Sequence, residues 1–470
     1  MQIAGQVVEL VARLAGADAQ AEVLVTRSEL ALTRFANSAI HQNVAESAVE
    51  IRLRVHAGGR TAAGSANVAS SDGLRALAER VVAAARFGPL DPAWPGLTPP
   101  APVTAAPQWD AATGYAGPDE RAALVRAFVD AAGGLETAGY CRTTLRGTGF
   151  ANSAGHAAQG YAAEAAMDGI ARVGGADGTA RHWVDRLADL DGAELGRRAA
   201  AKARAATDPV ELPPGRYPVV LEPAAVADLL QNLAWYGFNG KRYAERQSFA
   251  EPGVAQFDRA LTLVDDPVAG SGLPFDLEGT PARPLTLVDT GTTTGAAHDR
   301  RSAAESGTES TGHAWVGGGT FGPIPRNLRL VGSGTAGAAS TTGAGRTPAA
   351  PDATDPLVGA VVDADTAALV SRVQRGLLVS DLWYTRVLEP KSLVITGLTR
   401  NGVWLVEEGR VTRAVRDLRF TESYPRALGP GAVLEVGRRP VRLPDHREGA
   451  WWEAPPLRLA SWNFTGGASG

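Results

Sequence analysis

Histidine, cysteine and the carboxylates carry most proton-transfer, thiol and metal chemistry in proteins, and in this chain they are widely scattered. The seven histidines are His41, His56, His156, His182, His298, His313 and His446, and none has a second at i+3, i+4 or i+5. A His-Glu-x-x-His zinc helix, a Gly-x-Ser-x-Gly nucleophile turn and a Gly-x-x-x-x-Gly-Lys-Ser/Thr phosphate loop are all missing from the sequence. Gly332 to Gly337 matches Gly-x-Gly-x-x-Gly behind a strand-like Leu328–Val331. A dinucleotide site needs a helix to open at that point, and Gly343, Gly345, Pro348 and Pro351 follow instead, so the motif reads as a loop. His298-Asp299 has the chemistry of an oriented base but reads as a polar loop pair. Cys141, between Tyr140 and Arg142, reads as a packed thiol in a strand.

Composition narrows the classes of function. The chain has 470 residues, a net charge of −4 and 44% apolar residues, with a pI near 6.0. That balance argues against a dominant electrostatic grip on nucleic acid or anionic membrane. Lys202, Lys241 and Lys391 are the only lysines, which reads as the codon bias of a GC-rich genome. A single cysteine excludes an internal disulfide and a cysteine-rich zinc site. No apolar run reaches the ~20 residues that span a bilayer. Met1–Gln20 has helical spacing at Ile3, Val7, Leu10, Val11 and Leu14 with Glu9 and Arg13 interspersed, unlike a secretory signal, so a cytoplasmic location is expected.

The elements that would position any site fall into four stretches. Residues 1–90 read as a strand-rich α/β unit, with strands at 21–26, 30–36, 40–45 and 49–55 and a helix capped by Ser71 or Asp72. Pro92, Pro95, Pro99, Pro100, Pro102 and Pro107 mark 91–117 as an extended linker. Residues 118–212 read as a middle α/β unit with irregular strands between two helices. Residues 213–470 read as a β-rich domain containing a helix from 224 to about 237. Short strands follow there, with Asn401-Gly402 as a hairpin turn. Residues 332–356, rich in Gly, Ala, Ser, Thr and Pro, read as a mobile loop.

Eight short stretches stand out as a set: Arg34–Gln42, Ala151–Gly155, Leu212–Leu221, Ser310–His313, Pro325–Leu328, Gly376–Trp383, Thr396–Gly402 and Arg419–Glu422. Taken together in this order, they resemble the TldD/PmbA (TldD/TldE) metallopeptidase family. The resemblance implies a mixed α/β N-terminal part with a β-rich, barrel-like C-terminal domain, an α+β fold overall. It also implies a pair of related subunits. In the TldD type, a His-Glu-x-x-x-His helix and a cysteine near the C-terminus hold zinc with one open position, and the glutamate takes a proton from the zinc-bound water. The TldE/PmbA type lacks these ligands.

The corresponding helix here runs Leu229-Leu230-Gln231-Asn232-Leu233-Ala234-Trp235-Tyr236-Gly237-Phe238-Asn239-Gly240. Its leucines and glycines align without a gap. Gln231, Asn232 and Tyr236 stand where the family has His, Glu and His, and the tail Trp462–Gly466 contains no cysteine. Neutral amides are poor zinc ligands and poor bases. The expectation is therefore a zinc-free TldE/PmbA-like subunit with no catalytic or metal-ligating residue and no cofactor of its own. It would pair with a TldD-type paralogue that carries the zinc, and the pair would cut unfolded or modified peptides. Trp235, Tyr236, Phe238 and His313 are candidates for a peptide groove or a subunit interface. Nucleic acid and membrane are not expected partners, and self-association of the lone chain is left open. Two alternatives stand beside this reading. One is a metal-independent, homodimeric hydrolase using His298, Asp299, His313, Tyr236 or Cys141. The other is a peptide carrier with no peptidase partner.

Overall fold

The computed structural model describes residues 2–103, 109–270, 272–332, 361–445 and 449–467. Apart from Gly332, the loop expected at 332–356 lies outside the described residues, as does His446. Among the described residues, no helix is long and apolar enough to cross a membrane.

The N-terminal half begins with helix α1 (Gln2–Ala15) and strands β1 (Gln20–Ala36), β2 (Ala39–Ala57) and β3 (Arg60–Ala66). Helix α2 (Ser71–Phe87) follows. Its N-cap is Ser70, one residue before the expected cap, and its side chain accepts from Gly73 N. A single turn, α3 (Ala111–Gly114), and helix α4 (Pro118–Ala131) lead to strands β4 (Glu136–Asn152), β5 (Ala157–Val173) and β6 (Ala176–Val184), then helix α5 (Gly192–Ala205). All six strands form one antiparallel sheet in the order β3-β2-β1-β4-β5-β6. The N-terminal and middle stretches are thus joined by the β1–β4 ladder, which pairs Glu22 with Asn152 and runs on to Phe35 with Gly139.

Strand alternation divides this sheet chemically. Val23, Val25, Ile51, Leu53 and Val55 point to one face, where α1 and α2 cover them. On the same face, Phe35, Cys141, Ala165 and Met167 pack under α4 and α5. Glu22, Leu24, Arg52 and Arg54, at the alternate positions, point the other way, towards the C-terminal half. Between residues 91 and 103 the proline-rich stretch forms no helix or strand, in keeping with its composition, but it is pinned. Asn152 Nδ2 donates to Thr98 O at 2.8 Å, Thr98 Oγ1 to Glu278 O at 2.7 Å, and Trp94 Nε1 to Gln20 at 2.7 Å.

The C-terminal half holds strand β7 (Gly215–Leu221), helix α6 (Pro223–Asn232), the turn α7 (Gly240–Ala244), and strands β8 (Leu261–Asp265), β9 (Leu285–Asp289) and β10 (Thr292–Thr293). Short helices α8 (Arg300–Glu305) and α9 (Gly318–Phe321) precede β11 (Asn327–Gly332). The remaining strands are β12 (Arg375–Glu389), β13 (Val394–Glu407), β14 (Arg410–Ala414), β15 (Leu418–Ser423), β16 (Val433–Val436), β17 (Val441–Pro444), β18 (Trp451–Ala454) and β19 (Leu457–Gly467). One sheet runs β12-β7-β19-β15-β13-β14, and β13 also pairs with β12, which closes five strands into a barrel. A second sheet runs β10-β9-β8-β11-β18-β17. The largest apolar core includes residues of both sheets and of α6, among them Leu229, Leu230, Leu263, Leu330, Leu377 and Phe464. This is the mixed α/β N-terminal part and barrel-like C-terminal domain that the sequence implied.

Asn401-Gly402 does not make a hairpin. Both residues lie within β13, where the register against β12 slips between Val379 and Asp381. Asn401 takes φ 58° and Gly402 φ 125°, so the conformation that suits a turn here makes a bulge. Asn401 Nδ2 then reaches Asp381 Oδ2 at 3.3 Å.

Candidate functional site

Helix α6 opens at Pro223, a residue suited to a first turn because it lacks the N–H that would go unbonded there. Its apolar stripe, Val226, Leu229, Leu230 and Leu233, is completely buried. Beyond Asn232 the helix widens into one π-turn, Leu233–Gly237, closed by Phe238 N on Leu233 O at 2.8 Å. Positions five apart in an α-helix diverge by roughly 140°. A wide turn reduces that divergence, and such turns recur at functional sites. The glycines that follow serve close packing. A Cβ on Gly237 would lie 2.3 Å from the Phe249 ring, and one on Gly240 would lie 2.4 Å from Ala297 O.

The polar positions of this helix are committed to hydrogen bonds. Gln231 Nε2 donates to Asp445 Oδ2 at 2.7 Å, and Trp452 Nε1 donates to the same oxygen at 3.1 Å. Asn232 Nδ2 donates to Asp228 Oδ2 at 3.1 Å and to Thr385 Oγ1 at 3.2 Å. Asp228 also accepts from Thr385 Oγ1 at 2.8 Å and from the Tyr424 hydroxyl at 3.1 Å. Burial pushes the Asp228 carboxyl up to about 7, against the pull of these donors. Burial and the neighbouring Asp228 raise the Tyr424 phenol as well. Gln231, Asp228, Asp445, Asp381 and Arg181 line a cleft of about 260 Å³.

This donor set does not fit zinc. A carboxylate only accepts hydrogen bonds, so both amides turn their NH₂ groups to it, and an NH₂ group has no lone pair for a metal. Tyr236 is half-buried, with the Arg242 guanidinium 5.9 Å from its ring centre. Among the described residues, no three His, Cys, Asp or Glu side chains converge in a way that would hold an ion.

Of the groove candidates, Trp235 lines a second cavity, of about 390 Å³, together with Trp315 and Trp452. Its ring meets Trp315 edge-on at 5.1 Å and Phe321 at 5.8 Å. Trp315 is shared with a third cavity of about 510 Å³, so the two run together along the helix-free face of the N-terminal sheet. Phe238 is fully buried as core, edge-on to Phe249 and stacked on Phe257. His313 is buried too, with Nε2 2.9 Å from Asp265 Oδ2 and Nδ1 2.8 Å from Thr311 Oγ1, and it lines none of these cavities. His298 and His313 lie close enough to repel when charged, and burial lowers His298 to about 4. Asp299 reaches that imidazole only through Ser302. Its Oδ1 caps α8 by accepting from Ser302 N at 2.8 Å and also accepts from Ser302 Oγ at 2.7 Å, and Ser302 Oγ stands 3.2 Å from His298 Nδ1. Cys141 sits in a different core, under α4 and α5, where burial pushes its thiol up to about 12. Five candidates for metal-free hydrolysis therefore do not meet in one place. Sequence reasoning missed Asp228, Thr385, Tyr424 and Asp445, which come together from four separate stretches of chain. It also misses Arg326, although Pro325–Leu328 is one of the stretches that carry the resemblance.

The family profile for the PmbA/TldA metallopeptidase C-terminal domain matches residues 214–466. The chain belongs to that family. The profile for PmbA/TldA metallopeptidase domain 1 matches residues 21–85. No curated protein sequence matches the chain. Among solved structures, TldE from Thermococcus kodakarensis superposes with a TM-score of 0.82 at 18% identity, covering 99% of this chain and 100% of that one. A Thermotoga maritima protein described as a candidate modulator of a DNA gyrase gives 0.76 at 16% identity, over 98% of this chain and 100% of its own. A Bacteroides thetaiotaomicron protein described in similar words gives 0.78 at 17%, over 99% and 98%. These likenesses establish the shared fold. The chain is a TldD/PmbA-type, metallopeptidase-like protein.

Proposed function

We propose that this chain is the zinc-free, TldE/PmbA-type subunit of a peptidase pair, completing the chamber in which a TldD-type partner cuts unfolded or modified peptides in the cytoplasm. The observation that carries the reading is the commitment of Gln231 and Asn232 to Asp445 and Asp228, in the helix where the family places its first imidazole and its base. The aromatic wall of Trp235 and Trp315 beside that helix supplies a sequence-tolerant surface for a peptide. Zinc, water activation and bond cleavage belong to the partner. In this chain the helix keeps its structural role and the cavities bound the substrate.

The test is to purify the chain alone and then co-expressed with its paralogue, recording mass, metal content and peptidase activity for each. A stable heteromeric complex with zinc and chelator-sensitive cleavage, neither found in the lone chain, is expected. Stoichiometric zinc or chelator-sensitive cleavage in the lone chain refutes the proposal.

A further inference from the structure

The cavity of about 390 Å³ contains a cation with no ion-pair partner among the described residues. Arg326, from the turn that enters β11, is enclosed by surrounding protein yet keeps part of its surface open to that cavity. Among the described residues, its guanidinium makes no hydrogen bond or ion pair. Five N–H donors in a desolvated setting are unfavourable unless an acceptor reaches them. Arg146, from β4, lines the same cavity and repels it. The carboxylate facing Arg146 is Glu164 at 3.8 Å, which lies closer to Arg142 at 3.6 Å.

The acids nearby are already engaged. Asp276 accepts from the backbone N–H groups of Glu278, Thr280 and Ala314. Asp445 accepts from Gln231 and Trp452, and Glu50 pairs with Arg52 at 2.7 Å. Asp265 accepts from Asn327 N at 2.7 Å and is bonded to His313. Asp265 and Asp276 attract Arg326 through space, but neither makes an ion pair with it. The rest of the wall is largely apolar, with Trp235, Trp315, Trp452, Phe275 and Ile324.

A guanidinium pair set in a tryptophan-lined wall is a receptor for an anion joined to an apolar body. We propose that Arg326 and Arg146 hold a carboxylate of the bound peptide while an adjacent apolar side chain rests on Trp235 and Trp315. This rests on the peptide-chamber reading and adds a charge preference to it. The carboxylate has two possible sources, the peptide's own C-terminus or an acidic side chain, and both offer two oxygens to a planar fork.

The experiment titrates the full-length chain with three forms of one acetylated pentapeptide, Ala-Phe-Leu-Ala-Leu, followed by tryptophan fluorescence and calorimetry. One form has a free C-terminus, one is C-terminally amidated, and one is amidated with Glu replacing the central Leu. At least one acidic form is expected to bind roughly ten- to a hundredfold tighter than the neutral amide, as befits a charge-assisted contact. Which acidic form gains identifies the source. Arg326→Gln should abolish the preference, Arg326→Lys should keep part of it, and Arg146→Gln should weaken it, with unfolding midpoints recorded to confirm folding. If Arg326→Gln does not fold, Arg326→Lys and Arg146→Gln still decide. Equal binding of all three forms, an unchanged preference in the folded variants, or no binding of any form overturns the inference. Those results leave the co-expression and metal measurements untouched, so failure here is distinct from failure of the subunit assignment.

Discussion

Gln231 Nε2 lies 2.7 Å from Asp445 Oδ2, so the residue at the head of the altered motif is tied down by a charge-assisted bond from the loop before β18. Replacing it with histidine restores one ligand of a set that needs three. Gln231→His alone is expected to retain no stoichiometric zinc after gel filtration, by elemental analysis, because Asn232 and Tyr236 are unchanged and the tail offers no thiol. One tightly held zinc per Gln231→His chain would show that the vacant roles are filled from elsewhere.

Asp228 sets a pH dependence whose sign can be worked out. Its carboxyl is pushed from 3.8 in the open chain to about 7 in the fold by burial. Between those values the folded chain keeps a proton that the unfolded chain has released. The contribution is therefore full below about pH 4 and is lost as pH rises through about 7. Asp228→Asn mimics the protonated form and can still meet Thr385, Tyr424 and Asn232. The variant-minus-wild-type difference in unfolding free energy should become more positive from pH 4 to 7, by on the order of a few kcal/mol. Taking the difference cancels Asp276, which is raised to about 7, and His298, which is lowered to about 4 and acts in the opposite sense. A flat difference across that range would contradict the assignment.

Legibility in the sequence followed the strength of local signals. Helix α6 and parts of β12, β13, β14 and β16 are readable because Leu378, Val379, Val403, Val411 and Val433 sit in short β-branched or leucine-rich runs, while β19 is not, and the barrel closure is implied only by the family resemblance. The N-terminal hairpin reads as four short strands in the sequence because Arg27, Ser28 and Glu29 look like a break. They are strand residues lying where β1 is only partly covered. Strands β4 to β6 looked irregular because alanines such as Ala162, Ala163, Ala165 and Ala166 pack there, and alanine carries little β signal. The amide substitutions at 231 and 232 were visible in the sequence. Their distant partners Asp445 and Thr385 are not, since contacts across more than 150 residues leave no local pattern, whereas Asp228 lies one helical turn before Asn232, at a spacing the sequence does display.

A buried charge network joins the two halves, and breaking it should be costly. Glu22 and Arg54 come from the N-terminal sheet, and Glu278 and Arg300 from the C-terminal half. Trp94 packs under both arginines, with ring-centre distances of 5.2 and 5.5 Å. Arg300→Met removes one cation and leaves Glu22 and Glu278 sharing Arg54. A loss of about 3–5 kcal/mol is expected, the usual cost of stranding a buried charge. It should appear as a lower urea midpoint, and Glu22→Gln in the Arg300→Met background should recover part of it. A midpoint unchanged by Arg300→Met would mean that the network is dispensable.

Cys141 offers a direct readout of the core beneath α4 and α5, since it is the only thiol in the chain. It is fully buried on β4, and desolvation pushes it up to about 12, with the Arg121 charge pulling weakly the other way. A thiol attacks as the thiolate, so both its access and its ionisation are suppressed at neutral pH. Ellman's reagent at pH 8 should therefore label the native chain negligibly over a time that labels the urea-unfolded chain completely. Cys141→Ala should cost about 1 kcal/mol or somewhat more through the small void it leaves, and it should not alter cleavage by the co-expressed complex. Rapid labelling of the native protein, or loss of cleavage in Cys141→Ala with stability preserved, would assign this thiol a chemical role that its surroundings argue against.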